Sequence, residues 1–186
     1  MSKEKNIKNW YLNNFNKFED VVEEDNFTNL RKEASLKFES SEFPTRKEEE
    51  WKYTNISPIL NREFTPSPLS IGVQQSINSL DEYKIPNLDV HLLAFVNGIF
   101  NKELSNIGEV EDGIIIDNLY NLSKSNPDFL SKHLSKNNKT NNSFNLLNNT
   151  FTYDGFVIYV PKNKVIEKPI HVLNIVSDNN NKPLVQ

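Results

Sequence analysis

Gly155-Phe156-Val157-Ile158-Tyr159-Val160-Pro161 is the stretch that decides the fold class. Residues 156–160 all have high β-propensity, and the proline after them cannot donate to a ladder, so a short strand is predicted to stop there. Lys162-Asn163-Lys164 reads as a turn, Val165-Ile166 as a short apolar pair, residues 169–176 as a second strand and residues 177–182 as a polar turn, with Leu184-Val185 starting a third strand. Short strands at near-regular spacing suit a sandwich or a β-solenoid, and propensity does not choose between them. Leu184-Val185-Gln186 carries no terminating signal. The expectation is therefore a strand edge left unpaired, a longer natural protein cut at this point, and self-association through the exposed edge.

Upstream the period changes from two to that of helices. Tyr11, Phe15, Phe18 and Val22 fall on one face of an amphipathic helix. Thr28 reads as the N-cap of a second helix, with Leu30, Ala34 and Phe38 four apart. Residues 40–44 break that helix, because the residue before a proline is pushed out of helical geometry. Thr45 with Glu48 fits a capping box, which predicts a short helix carrying Trp51, and Ser57-Pro58 opens another helical turn. Pro66-Ser67-Pro68 reads as an ordered connector, and Val73, Ile77 and Leu80 as one more amphipathic helix. Asn97-Gly98, between the apolar residues 90–96 and residues 99–104, is the strongest short hairpin signal, since both turn positions need positive φ. Residues 114–116 read as a buried strand, the segments around Leu119, Leu122 and Pro127 to Leu134 as helical, residues 135–142 as a mobile loop, and Phe144, Leu147 and Phe151 as helical again.

Composition narrows the function. Only 37% of the 186 residues are hydrophobic, so 12 Phe, 6 Tyr and 2 Trp must supply the bulk of any core. The 29 Asn residues stand in short clusters broken by apolar residues, unlike a low-complexity tract. A net charge of −4 carries no electrostatic footprint for nucleic acid. The absence of Cys excludes a disulfide framework, a thiolate zinc site, a Cys-ligated cluster and a Cys nucleophile within this segment. Residues 1–8 are polar, and no apolar run reaches membrane-spanning length, so a cytoplasmic protein without membrane association is expected.

The residues with chemistry to offer read as structural. Asp89 and His91 share a strand face, but a metal site needs a third convergent ligand and none is near, so His91 reads as a partly buried strand histidine. His133 is placed to meet the last carbonyls of a helix, and His171 sits in a strand. Gly72, Gly98, Gly108, Gly113 and Gly155 are dispersed and form no phosphate cradle. Glu48-Glu49-Glu50 is better explained as charge compensation at a helix start than as acid–base machinery. Trp51 and Tyr53 lack a surrounding basic patch and read as packing anchors. No catalytic, cofactor or metal residue is assigned, and no enzyme is expected.

Phe43-Pro44-Thr45-Arg46 followed by Glu50-Trp51-Lys52-Tyr53-Thr54 resembles the N-terminal signature of the SufD family of iron–sulfur cluster assembly proteins. Phe95-Val96-Asn97-Gly98 with Leu104 is similar to that family's hairpin. Leu146-Leu147-Asn148, Phe151, Asp154-Gly155, Ile158-Tyr159-Val160-Pro161 and residues 165–170, including Pro169, are similar to its entry into the core. The positions that carry the resemblance, Glu50, Trp51, Tyr53, Thr54, Asn97, Gly98, Gly155 and Pro169, are expected to be structural.

The resemblance implies an α+β protein. Residues 1–150 would form an N-terminal helical domain with a small β-hairpin region, and residues 151–186 the incomplete first rungs of a right-handed parallel β-helix. It implies a subunit of the SufBCD-type scaffold, with SufB-like and SufC-like partners and an iron–sulfur cluster only at the level of the whole complex. The family's heterodimer contact, ATPase-binding region and cluster-related residues lie in later segments that this sequence does not contain. The alternative is a β-solenoid carbohydrate-binding protein with Tyr153, Phe156 and Tyr159 as a sugar platform.

Overall fold

The structure, a computed structural model, describes residues 3–66, 77, 80–134, 142–176 and 184–185. In chain order it contains helix α1 (Lys3–Val21), helix α2 (Thr28–Ser40), a 3-10 turn (Glu49–Trp51), helix α3 (Ser57–Leu60), and strands β1 (Thr65–Pro66), β2 (His91–Val96), β3 (Ile99–Phe100) and β4 (Ile115–Asn118). Helices α4 (Leu119–Ser125), α5 (Pro127–His133) and α6 (Ser143–Thr150) come next, then strands β5 (Phe156–Tyr159), β6 (Ile170–Ile175) and β7 (Leu184–Val185). Two compact units result, each discontinuous in sequence: residues 1–70, 131–152 and 181–186 in one, residues 71–130 and 153–180 in the other. The crossing between Thr152 and Tyr153 lies next to the boundary read at residue 150, but the chain also crosses after residues 70, 130 and 180.

The first unit is held by aromatic edges. The periodic residues of α1, Tyr11, Phe15 and Phe18, are buried as predicted. They converge on Phe151, just past α6, at centroid distances of 6.4, 6.2 and 5.5 Å. From Tyr11 the chain of rings continues through Phe38 (6.4 Å), Phe43 (5.8 Å) and Phe144 (5.5 Å) to Trp51 (5.5 Å). Such tilted and edge-on pairs gain about 0.5–1.5 kcal/mol each beyond the area they bury. Helix α2 lies along α6 and buries Ala34 and Phe38 of the predicted line together with Arg31 and Ser35, while Leu30 stays half-buried.

The helix starts differ from the sequence reading in detail. Phe27, not Thr28, occupies the cap position of α2, and a tight Asp25–Thr28 turn satisfies the donors around it: Phe27 N donates to Asp25 Oδ1 (2.8 Å) and Asp25 N to Thr28 Oγ1 (3.0 Å). Only half of the predicted capping box forms. Thr45 N donates to Glu48 Oε1 (2.8 Å), while Thr45 Oγ1 accepts from Lys47 N, and the segment winds a single 3-10 turn. Pro58 does stand in the first turn of α3, after the Asn55 side chain has accepted from Ser57 N (3.1 Å). Asn142 caps α6 by accepting from Asn145 N (2.8 Å), and residues 135–141 of the predicted mobile loop lie outside the described residues. Most of the helix predicted around Val73 also lies outside them; Ile77 and Leu80 are described, are not helical, and pack against Leu92 and Ala94.

In the second unit β2 is the central strand. Leu93 and Phe95 pack on one face with Ile114 and Ile116, and Leu92 and Ala94 pack on the other with Leu80, so the strand reads as a continuous apolar run. The Asn97-Gly98 turn has φ values of 51° and 77°, as the hairpin signal requires, and β2 pairs antiparallel with β3. The second hairpin strand is shorter than predicted. After Phe100, Asn101 turns the chain by accepting from Leu104 N (3.0 Å) and, through its carbonyl, from Ser105 Oγ (2.6 Å). On its other edge β2 pairs in parallel with β6, in register from His91–Ile170 to Val96–Ile175.

The strands expected to be successive β-helix rungs find their partners elsewhere among the described residues. Strand β5 pairs antiparallel with β4, β6 in parallel with β2 and β7 in parallel with β1, so none of the three pairs with another. The reason is hydrophobic matching: β6 sends Val172 to one face and Leu173 and Ile175 to the other, which completes the two faces that β2 already presents. The described residues form an α+β protein with three small sheets.

Two outcomes test this account. Phe151→Ala should lower the unfolding free energy by about 3–5 kcal/mol in urea titrations, while Val21→Ala, at an exposed position, should change it by less than about 0.5 kcal/mol. Burial pushes the Tyr11 hydroxyl from 10.0 up to about 12. A raised folded-state value means that the associated stability is intact below pH 10 and is lost as pH rises from 10 towards 12. Tyr11→Phe should therefore flatten the alkaline fall of the thermal midpoint and leave neutral stability nearly unchanged.

Candidate functional site

Of the residues carrying the resemblance, Glu50, Trp51, Tyr53 and Thr54 fall in the first unit and Asn97, Gly98, Gly155 and Pro169 in the second. In the first group only Trp51 anchors anything, its ring lying on Phe144. Glu50 and Thr54 are exposed, and Thr54 N closes the turn onto Trp51 O (2.9 Å). Tyr53 is 87% exposed, so of the two residues read as core or interface anchors only Trp51 packs into the core of this chain.

The second group brackets the β2–β6 ladder. Pro169 O accepts from His91 N (2.8 Å) at one end, and Asn97 N donates to Ile175 O (2.8 Å) at the other. Gly155 O accepts from Leu119 N (2.7 Å), but a Cβ at Gly155 would meet nothing within 4 Å, so the position makes no steric demand for glycine. The demand falls on its neighbour. Asp154 Oδ1 accepts from Asn118 Nδ2 (2.9 Å), Tyr120 N (3.1 Å) and Gly155 N (2.8 Å), and Oδ2 accepts from Phe100 N (2.9 Å). One carboxylate thus ties β3, the start of α4 and the entry to β5 by charge-assisted bonds.

Arg31 is the corresponding tie in the first unit, and the helical pattern gave no sign of it. Its side chain is 1% exposed. Nε donates to Glu19 Oε1 (3.0 Å), Nη1 to Asp25 Oδ2 (3.0 Å) and Thr152 O (3.2 Å), and Nη2 to Thr28 Oγ1 (3.1 Å), with Asp25 Oδ1 at 2.9 Å. The guanidinium also stands 5.5 Å from the centre of the Phe18 ring. A buried charge is tolerated only with such complete pairing, and this one is committed to structure. The spacing of acidic Glu19 and Asp25 ahead of Arg31 was the available signal.

The histidines do not assemble a site. His91 is buried, with Nδ1 against the Ile107 carbonyl, and Asp89 instead pairs with Lys168 (2.6 Å). His133 lies in the last turn of α5, as expected, and His171 Nδ1 is buried without a hydrogen-bond partner. Among the described residues no group of three His, Cys, Asp or Glu could hold a metal ion. The sugar platform is split. Period two puts Phe156 and Tyr159 on opposite faces of β5, and the rings of Tyr153, Phe156 and Tyr159 pair separately with Tyr120, Phe95 and Phe129. No described helix is long and apolar enough to cross a membrane.

If Asp154 is the tie, Asp154→Ala should cost about 2–3 kcal/mol in chemical denaturation, because buried N–H groups lose their acceptor. Gly155→Ala should cost less than about 0.5 kcal/mol despite its place in the same motif.

Polar ties, a buried aromatic chain and a six-residue parallel ladder hold the described residues together, and comparison with known proteins gives the family. The pattern of the SufBD protein N-terminal region matches residues 5–172. An iron–sulfur cluster assembly SufBD family protein of Synechocystis sp. (strain ATCC 27184 / PCC 6803 / Kazusa) is 26% identical over 152 residues, which cover 82% of this chain and 33% of that protein. The chain therefore spans about a third of the length of the curated relative it matches. With the match running through both units, this chain belongs to the SufBD family and carries its N-terminal region.

Proposed function

We propose that the chain is the N-terminal part of a SufD-type subunit of the SufBCD scaffold on which iron–sulfur clusters are built, acting in the cytoplasm without an enzymatic step of its own. The observation that carries the reading is the family match over residues 5–172. The order Glu50-Trp51-Lys52-Tyr53-Thr54 favours the SufD-type over the SufB-type member. In this reading the partners are SufB-like and SufC-like subunits. The surfaces that hold them would lie outside this chain, which spans about a third of the length of the curated relative, and residues 151–186 would lead into a right-handed parallel β-helix.

The lack of Cys supports a passive role towards the cluster itself. Thiolate is the usual protein ligand of iron–sulfur clusters, and a segment of 186 residues without Cys has none to offer. The cluster is then cargo of the assembled complex, and this region contributes shape and stability.

Anaerobic reconstitution of the 186-residue chain with ferrous iron and sulfide checks this. After desalting, iron and acid-labile sulfide should remain far below one per chain. Co-expression of the full-length protein with SufB-like and SufC-like subunits should yield one stoichiometric complex. A stable stoichiometric cluster on the isolated chain, or no capture of either partner by the full-length protein, would overturn the proposal.

A further inference from the structure

A cleft of about 490 Å³ in the second unit is lined by His91, Glu109, Glu111, Glu167 and Lys168 over an apolar wall that includes Val165 and Ile166. Its own cations are already engaged: Lys164 pairs with Glu111, and Lys168 with Asp89. Glu109 and Glu167 are exposed and make no ion pair or hydrogen bond with a described residue, so two negative charges remain uncompensated at the rim.

His91 adds an independent acceptor. It is 5% exposed, and its Nδ1 meets the carbonyl of Ile107. A carbonyl only accepts, so Nδ1 carries a proton, and Nε2 of the neutral ring is the nitrogen left to accept. No described residue bonds that nitrogen, and it is not among the side-chain atoms sealed from solvent without a partner. Beside Asn163 and the engaged Lys168, the groups of the cleft left without a partner among the described residues are therefore acceptors: one ring nitrogen and two carboxylates.

We infer that this cleft receives an arginine side chain from a partner polypeptide. A guanidinium has five N–H donors in a fixed fork and no acceptor, which matches a carboxylate pair with one imidazole lone pair. Its aliphatic stem packs on Val165, which is 72% exposed, and on Ile166. A metal ion fits less well, since no three ligands converge among the described residues. The inference concerns the cleft alone and does not depend on the scaffold role.

The ¹⁵N-labelled 186-residue chain, titrated at constant ionic strength with Gly-Arg-Gly, methylguanidinium and spermidine, tests it by NMR. The peptide should shift the His91 Nε2 resonance saturably and bind more tightly than methylguanidinium, whose stem is missing. Glu109→Gln with Glu167→Gln should weaken peptide binding about tenfold. Because both positions are exposed, amide spectra away from the cleft should be unchanged, which separates lost binding from lost folding. No shift at His91, tighter binding of spermidine than of the peptide, or binding indifferent to the two substitutions would overturn the inference.

Discussion

Edge-on contact between aromatic rings is the interaction on which both units depend. With little over a third of the residues hydrophobic, the chain cannot fill its interior with aliphatic side chains and relies on 12 Phe instead. Rings are large and flat, so few are needed, but each must meet its neighbour at a defined angle. That requirement explains why Phe151, outside any helix, serves as the meeting point for three residues of α1. It recurs in the second unit, where Phe95 meets Phe100 at 5.6 Å and Phe156 at 6.5 Å, and Phe129 meets Tyr159 at 5.0 Å.

A core built this way leaves loops with little apolar area to hold them, and two charged side chains take over that task. Arg31 gathers the end of α1, the turn before α2 and the chain after α6; Asp154 gathers β3, α4 and β5. Each is an ion with its hydrogen-bonding capacity turned inward on the backbone or on opposite charge. Such groups give up hydration and recover it only through geometry, so they specify one arrangement of the connecting segments more sharply than an apolar contact could.

How much of the fold was legible in the sequence depends on the range of each signal. The α1 face, the Asn97-Gly98 turn and the strands at residues 156–159 and 170–175 rest on neighbours within a few positions, and the structure contains all of them. Of the predicted Leu30, Ala34 and Phe38 line the last two are buried, while Leu30 is only half-buried and Arg31 beside it is buried against two carboxylates. Tyr53 resembles Trp51 to any reading by residue type, yet a single 3-10 turn sends the two in different directions. Asp154 is visible in the sequence as part of a motif but not as a tie, since its four donors come from positions 100, 118, 120 and 155, and only one of these is adjacent.

Strand order is the feature furthest from the reach of local signals, and it has a consequence for how the second unit forms. A local reading groups β5, β6 and β7 as successive strands of a new domain. The ladder instead joins β6 to β2 across some eighty residues of sequence, and β5 to β4 across about forty. Long loops must close before these contacts reward the chain, which makes the unit slow to nucleate and places its completion late in synthesis. Until residues 170–175 arrive, β2 exposes one ladder edge and part of both apolar faces. Residues 153–176 thus supply β2 with the parallel partner that its two apolar faces require, and they cluster with residues 71–130 in one compact unit.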